Sequence, residues 1–294
     1  MIRAGAFTTG PAAMLLATLL FALMAVFIKS ASTHYSVGEI VFYRSMVTAL
    51  LSWAAARQAG DSLRTDLPWA QGRQTAVGAA VLGLYFFSLT QLPLATAVTL
   101  NYASSIWLTL MLVANAAALG QARVGPMSLA AVALGFVGVV MVLQPTFVSG
   151  QGVAATCGLL SGGLAAVGYL LLARLTRAGE PSHRVVFYSS LGACVAGLGL
   201  AGAGGWHALT WAGLGQLAAV GVLGAGGQLL LARAFGSGDT VVTASLQYAG
   251  VAYALVLGGL VFGDTLSATS LAGIAIIVMA ALACIQVRRH APAS

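Results

Sequence analysis

Thr99, Asn101, Tyr102, Ser105 and Thr109 set hydroxyl and amide groups into the otherwise apolar run LATAVTLNYASSIWLTLMLVA, residues 94–114. Four of them, Thr99, Tyr102, Ser105 and Thr109, follow spacings of three and four and so share one face of a helix. A helix in lipid has no water to satisfy such groups, so this face must meet protein or a wet cavity. Groups of this kind can hold a small polar molecule. Transforming one asks for a nucleophile with its base, an acid pair or a metal cluster. His34, His183, His207 and His290 occur singly in loops or tails, and Glu39 and Asp264 lie at opposite ends of the chain. No catalytic set, metal site or cofactor is expected.

The polar run has an echo. Shifted by 146 positions, Leu100, Tyr102 and Ala103 meet Leu246, Tyr248 and Ala249, while Thr99, Asn101 and Trp107 meet Ser245, Gln247 and Tyr253. At a shift of 145, Val41, Phe42, Tyr43 and Ser45 meet Val186, Phe187, Tyr188 and Ser190. Two matches at nearly one offset mark an internal repeat. The halves are 1–147 and 148–294, divided where Gln144, Pro145, Ser149 and Gly150 mark an outside loop.

The elements that must position these residues follow from composition. The 294 residues are 60% hydrophobic and 6% charged, with a mean hydropathy of +0.96. A spanning helix needs about 20 apolar residues, and ten such runs are expected, at 12–31, 37–56, 74–91, 94–115, 125–143, 153–173, 185–203, 212–232, 240–262 and 267–286. Barrel strands alternate over about ten residues, and these runs do not. Five spans per half is an odd number, so the second half enters the membrane from the opposite side. The expected fold is an all-α integral membrane protein, ten transmembrane helices in two inverted five-helix repeats. Such repeats carry a binding site near the bilayer midplane at their interface, and rocking about it gives alternating access.

Charge supplies sidedness. With the N-terminus inside, Arg3, Arg57, Arg64, Arg73, Arg123, Arg174, Arg177, Arg184, Arg233, Arg288 and Arg289 all fall on the cytoplasmic side, and only Lys29 and Arg44 do not. That bias puts both termini in the cytoplasm and explains the net charge of +7 without a nucleic-acid partner. The hydrophilic stretch 57–73 is expected as a cytoplasmic loop. Residues 1–36 are read as the first span rather than a cleaved leader, because the apolar stretch is long enough to cross and ends in Lys29. Cys157, Cys194 and Cys284 each sit in an apolar run as packing groups.

Two further polar groupings stand out. The first span holds no carboxylate, unlike an antiporter that trades protons for cationic drugs. Lys29 ends that span, Glu39 opens the next, and Arg44 lies inside it; together they are expected to form a polar cluster near the outer face, structural or substrate-contacting. Tyr85, Tyr169, Tyr188 and Gln228 join Asn101, Tyr102, Ser105, Gln247 and Tyr248 as candidate substrate-binding residues, since they combine apolar surface with polar tips.

Lys29 at the end of the first span, FYR at Phe42–Arg44, the AVTLNYASS run and its VTASLQYAG echo resemble the drug/metabolite transporter superfamily, EamA type, over nearly the whole chain. That resemblance implies a ten-helix carrier with a central cavity. The Asn101–Tyr102 pair resembles the aromatic amino acid exporter branch of bacterial inner membranes, and by the same likeness Tyr102, Tyr85 and Tyr169 line the cavity. Ser104 and Ser105 stand where that branch has a tryptophan and a proline, which implies a smaller, more polar cavity and broader amino acid export.

The first reading is an inner-membrane exporter of aromatic or other neutral amino acids and related small metabolites, by facilitated efflux. The alternatives are carriage of an anionic or phosphorylated metabolite on Lys29 and Arg44, and a membrane-embedded enzyme, which lacks a catalytic cluster. The expected partners are the lipid bilayer and an amino acid substrate. A monomer contains both repeats.

Overall fold

Apolar helices in lipid satisfy their backbone internally, and this chain does so almost throughout. The computed structural model describes residues 10–92, 94–118, 126–144, 150–237, 240–262 and 267–290. They form α1 (Gly10–Ala31), α2 (Val37–Ala59), α3 (Pro68–Gln91), α4 (Leu94–Tyr102), α5 (Ser104–Ala118), α6 (Pro126–Leu143), α7 (Gly152–Arg177), α8 (Ser182–Gly204), α9 (Trp211–Ser237), α10 (Thr240–Leu246), α11 (Ala249–Phe262) and α12 (Ala268–His290). Arg3, Arg123, Pro145, Ser149 and Asp264 lie outside the described residues, as do the side chains of Cys284, Arg288, Arg289 and His290.

These segments make ten spans, because two expected to be continuous are interrupted. α4 gives way to α5 at Ala103, and α10 to α11 at Gln247–Tyr248. At the second break the backbone tightens to i−3 bonding, with Tyr248 N–H donating to the Ser245 carbonyl, Gly250 to Gln247 and Val251 to Tyr248. At the first, Ile106 N–H donates to the Ala103 carbonyl in the same way. Such tight turns inside a helix mark strain or function. The expected loop at 57–73 is also shorter, spanning 60–67. Gly60 closes α2 in the left-handed conformation, φ 73°, which glycine alone adopts without cost. Pro68 opens α3, where a missing N–H is no loss.

The spans pack chiefly across the repeats. α1 lies on α9 and α11, α7 on α3 and α5, α2 on α8, and α6 on α12. Exchanging the halves converts the first set of contacts into the second and returns the last two pairs to themselves. This is the pattern of two inverted five-helix repeats. Small residues allow the close crossings. Ala13 and Ala17 on α1 are buried, and at an offset of 145 their equivalents on α7 are Gly158 and Gly162. A Cβ on Gly162 would lie 2.7 Å from the Leu100 carbonyl oxygen at the end of α4.

Each end of the bundle is tied by one loop pair, and the two ties occupy equivalent positions. At one end the fully buried Glu39 closes a capping box with Ser36. Its Oε1 also accepts from the His207 N–H at 2.6 Å, and Oε2 meets the His207 ring Nδ1 at 2.8 Å. At the other, Arg184 donates to the Ser62 carbonyl from Nε at 2.9 Å and Nη2 at 2.6 Å, and from Nη1 to Glu180 at 2.8 Å. An offset of 145 carries Glu39 onto Arg184 and Ser62 onto His207, so the same contact is made at both ends with the charge reversed. Trp69 near the start of α3 and Trp211 at the start of α9 are 86% and 90% exposed. Inversion sets them at opposite ends, where aromatic side chains anchor a membrane protein at both interfaces.

Two outcomes are expected. Gly162→Leu collides with the α4 carbonyl, whereas Gly163→Leu points into open space; the first should cost about 1–3 kcal/mol or more, read as loss of folded protein on size exclusion, and the second should be tolerated. For Glu180, burial alone would raise the carboxyl pKa. Hydrogen bonds from Thr65 and Arg184, with the Arg184 charge, hold it below its ordinary value of 4.5. A depressed pKa contributes stability above the ordinary value and loses it as pH falls through the folded value. Glu180→Gln should therefore melt below wild type at pH 7, with the gap closing under about pH 4; a gap independent of pH would refute this.

Candidate functional site

The two interruptions face one another, and a cavity of about 250 Å³ opens between them. Asn101, Tyr102 and Ser104 reach it from the first break, Gln247 and Gly250 from the second. Three wall pairs are equivalent across the repeats at an offset of 146: Asn101 with Gln247, Ser104 with Gly250, and Tyr85 with Leu231. The opening helices differ. α1 gives a whole face, with Met14, Thr18, Phe21, Ala22 and Ala25, while α7 gives Tyr169 alone.

Several contacts fix the polar tips. The Asn101 Nδ2 donates to Ser161 Oγ at 3.3 Å, and Ser161 in turn donates to the Gly158 carbonyl at 2.7 Å. The Tyr169 ring stacks on Phe235, with centroids 5.0 Å apart and planes 10° from parallel. Gly250 leaves room for the Tyr102 hydroxyl. The buried Gln247 Nε2 has no hydrogen-bond acceptor among the described residues. An unmet donor beside a cavity is a ready contact for an acceptor on a bound solute.

The residues singled out from sequence divide. Tyr85, Asn101, Tyr102, Tyr169 and Gln247 line the cavity; Ser105, Tyr188, Gln228 and Tyr248 do not. Ser105 is buried and donates to the Ala244 carbonyl at 2.9 Å, joining the two interrupted spans. Tyr248 is 1% exposed and packs behind the cavity against Gly135, with its ring 6.3 Å from Tyr102. Tyr188 donates to the Leu63 carbonyl at 3.0 Å in the loop after α2, and Gln228 is half-buried on α9. Lys29, Glu39 and Arg44 are placed as follows. Glu39 is taken up by Ser36 and His207, Lys29 is exposed near the end of α1, and Arg44 lies across Gly224 of α9.

Sequence reasoning missed the α1 face and His207. Thr18, Phe21, Ala22 and Ala25 have helical spacing, but every face of α1 is apolar, so nothing set this one apart. The bare Gly227, whose added Cβ would meet the Phe21 ring, becomes informative only once α9 is known to lie there. Among the described residues no Asp, Glu, Lys, Arg or His lines the cavity, and no group of three possible metal ligands occurs. The arrangement can bind and enclose a small solute.

Comparison with known proteins agrees. The pseudopaline exporter CntI of Pseudomonas aeruginosa is 30% identical over 275 residues, covering 93% of this chain and 95% of that protein. An uncharacterized transporter of Helicobacter pylori is 26% identical over 288 residues, covering 93% of each. A crystal structure sharing 19% identity superposes with a TM-score of 0.80 over 96% of this chain and 100% of that one, a likeness of fold. Residues 8–144 and 153–285 each match the EamA-like transporter family. The chain is therefore a membrane transporter, not an enzyme, and belongs to the EamA-like family of the drug/metabolite transporter superfamily.

Proposed function

We propose that this transporter exports neutral amino acids, aromatic ones included, and related small metabolites across a bacterial inner membrane. The observation that carries this reading is the cavity itself: about 250 Å³, walled by three tyrosines, a phenylalanine and two amides, with no fixed charge among the described lining residues. Rings take up an apolar side chain, while amides and hydroxyls meet polar ends. Both termini face the cytoplasm on this reading, following the placement of arginine, and the repeats divide near 147 and 148. The absence of Asp, Glu and His from the cavity lining favours facilitated efflux over proton exchange. A second cargo, pseudopaline or a compound like it, is favoured by the 30% identity to CntI.

Access alternates by exchange of the repeats' conformations. Tyr102 lines the cavity in the state described here while its equivalent Tyr248 is buried, so the opposite state brings Tyr248 to the cavity and withdraws Tyr102.

Counterflow in liposomes preloaded with unlabelled amino acids should show uptake of labelled phenylalanine, methionine or threonine. Tyr102→Ala should lower it about tenfold, a loss of roughly 1.4 kcal/mol. Folded protein that moves none of the three, but moves pseudopaline, would replace the first cargo with the second. In a background lacking Cys157, Cys194 and Cys284, turnover should make Tyr248→Cys reactive toward a small water-soluble thiol reagent and partly protect Tyr102→Cys. A Tyr248→Cys that stays unreactive throughout turnover would rule out the exchange.

A further inference from the structure

Arg44 is an arginine within the spanning bundle that the cavity does not use. It lies seven residues into α2, about 10 Å along the helix from its start at 1.5 Å per residue. Its side of α2 faces α9: Val47 meets Gly221, and Thr48 approaches the Gly221 carbonyl. Met46, Leu50 and Trp53 occupy the exposed side, so Arg44 is turned into the bundle rather than toward lipid headgroups. A Cβ on Gly224 would lie 3.0 Å from Arg44 Nε and 3.2 Å from the Met24 sulfur. That glycine makes room for the guanidinium stem at the junction of α1, α2 and α9.

The Nε is sealed from solvent without an acceptor, on a residue that is only half-buried overall. Among the described residues the Arg44 carbonyl accepts from Thr48, and its side chain is in no hydrogen bond or ion pair with another side chain. Glu39, the nearest carboxylate along α2, is already held by Ser36 and His207. A charge in the membrane interior without a partner is costly. Its planar fork suits an oxyanion, carboxylate or phosphate, gripped by two parallel hydrogen bonds.

Its place relative to the cavity gives the anion a route. On α1, Phe21 lines the cavity and rests on Gly227, while Met24 rests on Gly224 beside Arg44. The two contacts are three residues apart on each helix, so Arg44 sits about one turn, or 5 Å, from the cavity wall along the α1–α9 seam.

We propose that Arg44 is an oxyanion-recognition point on the export path, which takes the carboxylate of the solute as it leaves the cavity between α1 and α9. This rests on the reading of the cargo as an amino acid. The cavity offers such a solute amides and hydroxyls, and Arg44 supplies the opposite charge that the cavity lacks.

The test is ligand-induced thermal stabilisation of the purified full chain, with phenylalanine, phenylalaninamide and inorganic phosphate as probes. Wild type should prefer phenylalanine to its amide. Arg44→Gln should abolish that preference, weakening phenylalanine about tenfold or more while leaving the amide unchanged. Arg44→Lys should retain part of it, and carries the test if Arg44→Gln is not recovered folded. Stabilisation by phosphate alone, lost in Arg44→Gln, would keep the oxyanion site and discard the amino acid cargo. An acid preference that survives in Arg44→Gln would overturn the proposal and leave that cargo standing, as would an equal loss of acid and amide. No stabilisation of wild type by any probe also overturns it, while the cargo is judged separately by counterflow.

Discussion

The hydrogen bond from Ser105 to the Ala244 carbonyl joins two helices that are both interrupted in the middle of an apolar bundle. An interrupted helix releases backbone groups that lipid cannot satisfy, so a break is tolerated only where protein encloses it or a wet cavity borders it. Both conditions hold here. The backbone of each break tightens into i−3 turns, Ser105 donates to the Ala244 carbonyl beside the Gln247 N–H, and the bare face of Gly162 fits against Leu100 at the other break. What cannot be closed becomes the cavity. The paired small residues of α1 and α7 and the crossed packing of the repeats all serve to hold α1 and α7 against these two breaks.

The repeats preserve geometry and exchange chemistry. Glu39 with His207 and Arg184 with Ser62 are one contact made twice, at opposite ends and with opposite charge. The backbone partner changes with it: a carboxylate accepts from an N–H, and a guanidinium donates to a carbonyl. Of the three wall pairs only Asn101 with Gln247 keeps its chemistry, and α1 presents five residues where α7 presents one.

Much of the fold was legible because it rests on long-range regularities: apolar runs of spanning length, arginine on one side, and two echoes at one offset. Asn101 with Gln247 and Tyr102 with Tyr248 pointed to the centre, since polar groups in a spanning run need enclosure. The interruptions were not legible. Neither carries the proline that would announce it; each break packs on another span, Ser105 at the Ala244 carbonyl and Gly162 against Leu100, which is a tertiary effect. The same reason placed Tyr188 on the Leu63 carbonyl rather than in the cavity. Proximity along α2 suggested that Glu39 would neutralise Arg44, but the loop carrying His207, 168 residues away, offers a backbone N–H that a side chain five residues on cannot replace.

The energetic character of the site follows from its neutrality. A carrier that holds its solute by rings and dipoles spends little free energy on desolvating fixed charges, so the empty cavity is not penalised and the chain can return to its starting state unloaded. On the path proposed for Arg44, a charged ligand group is met outside the cavity, about one helical turn away, where Met24 and Arg44 pack against Gly224. Separating the uncharged pocket from the cation would keep binding in the pocket weak enough to release the solute.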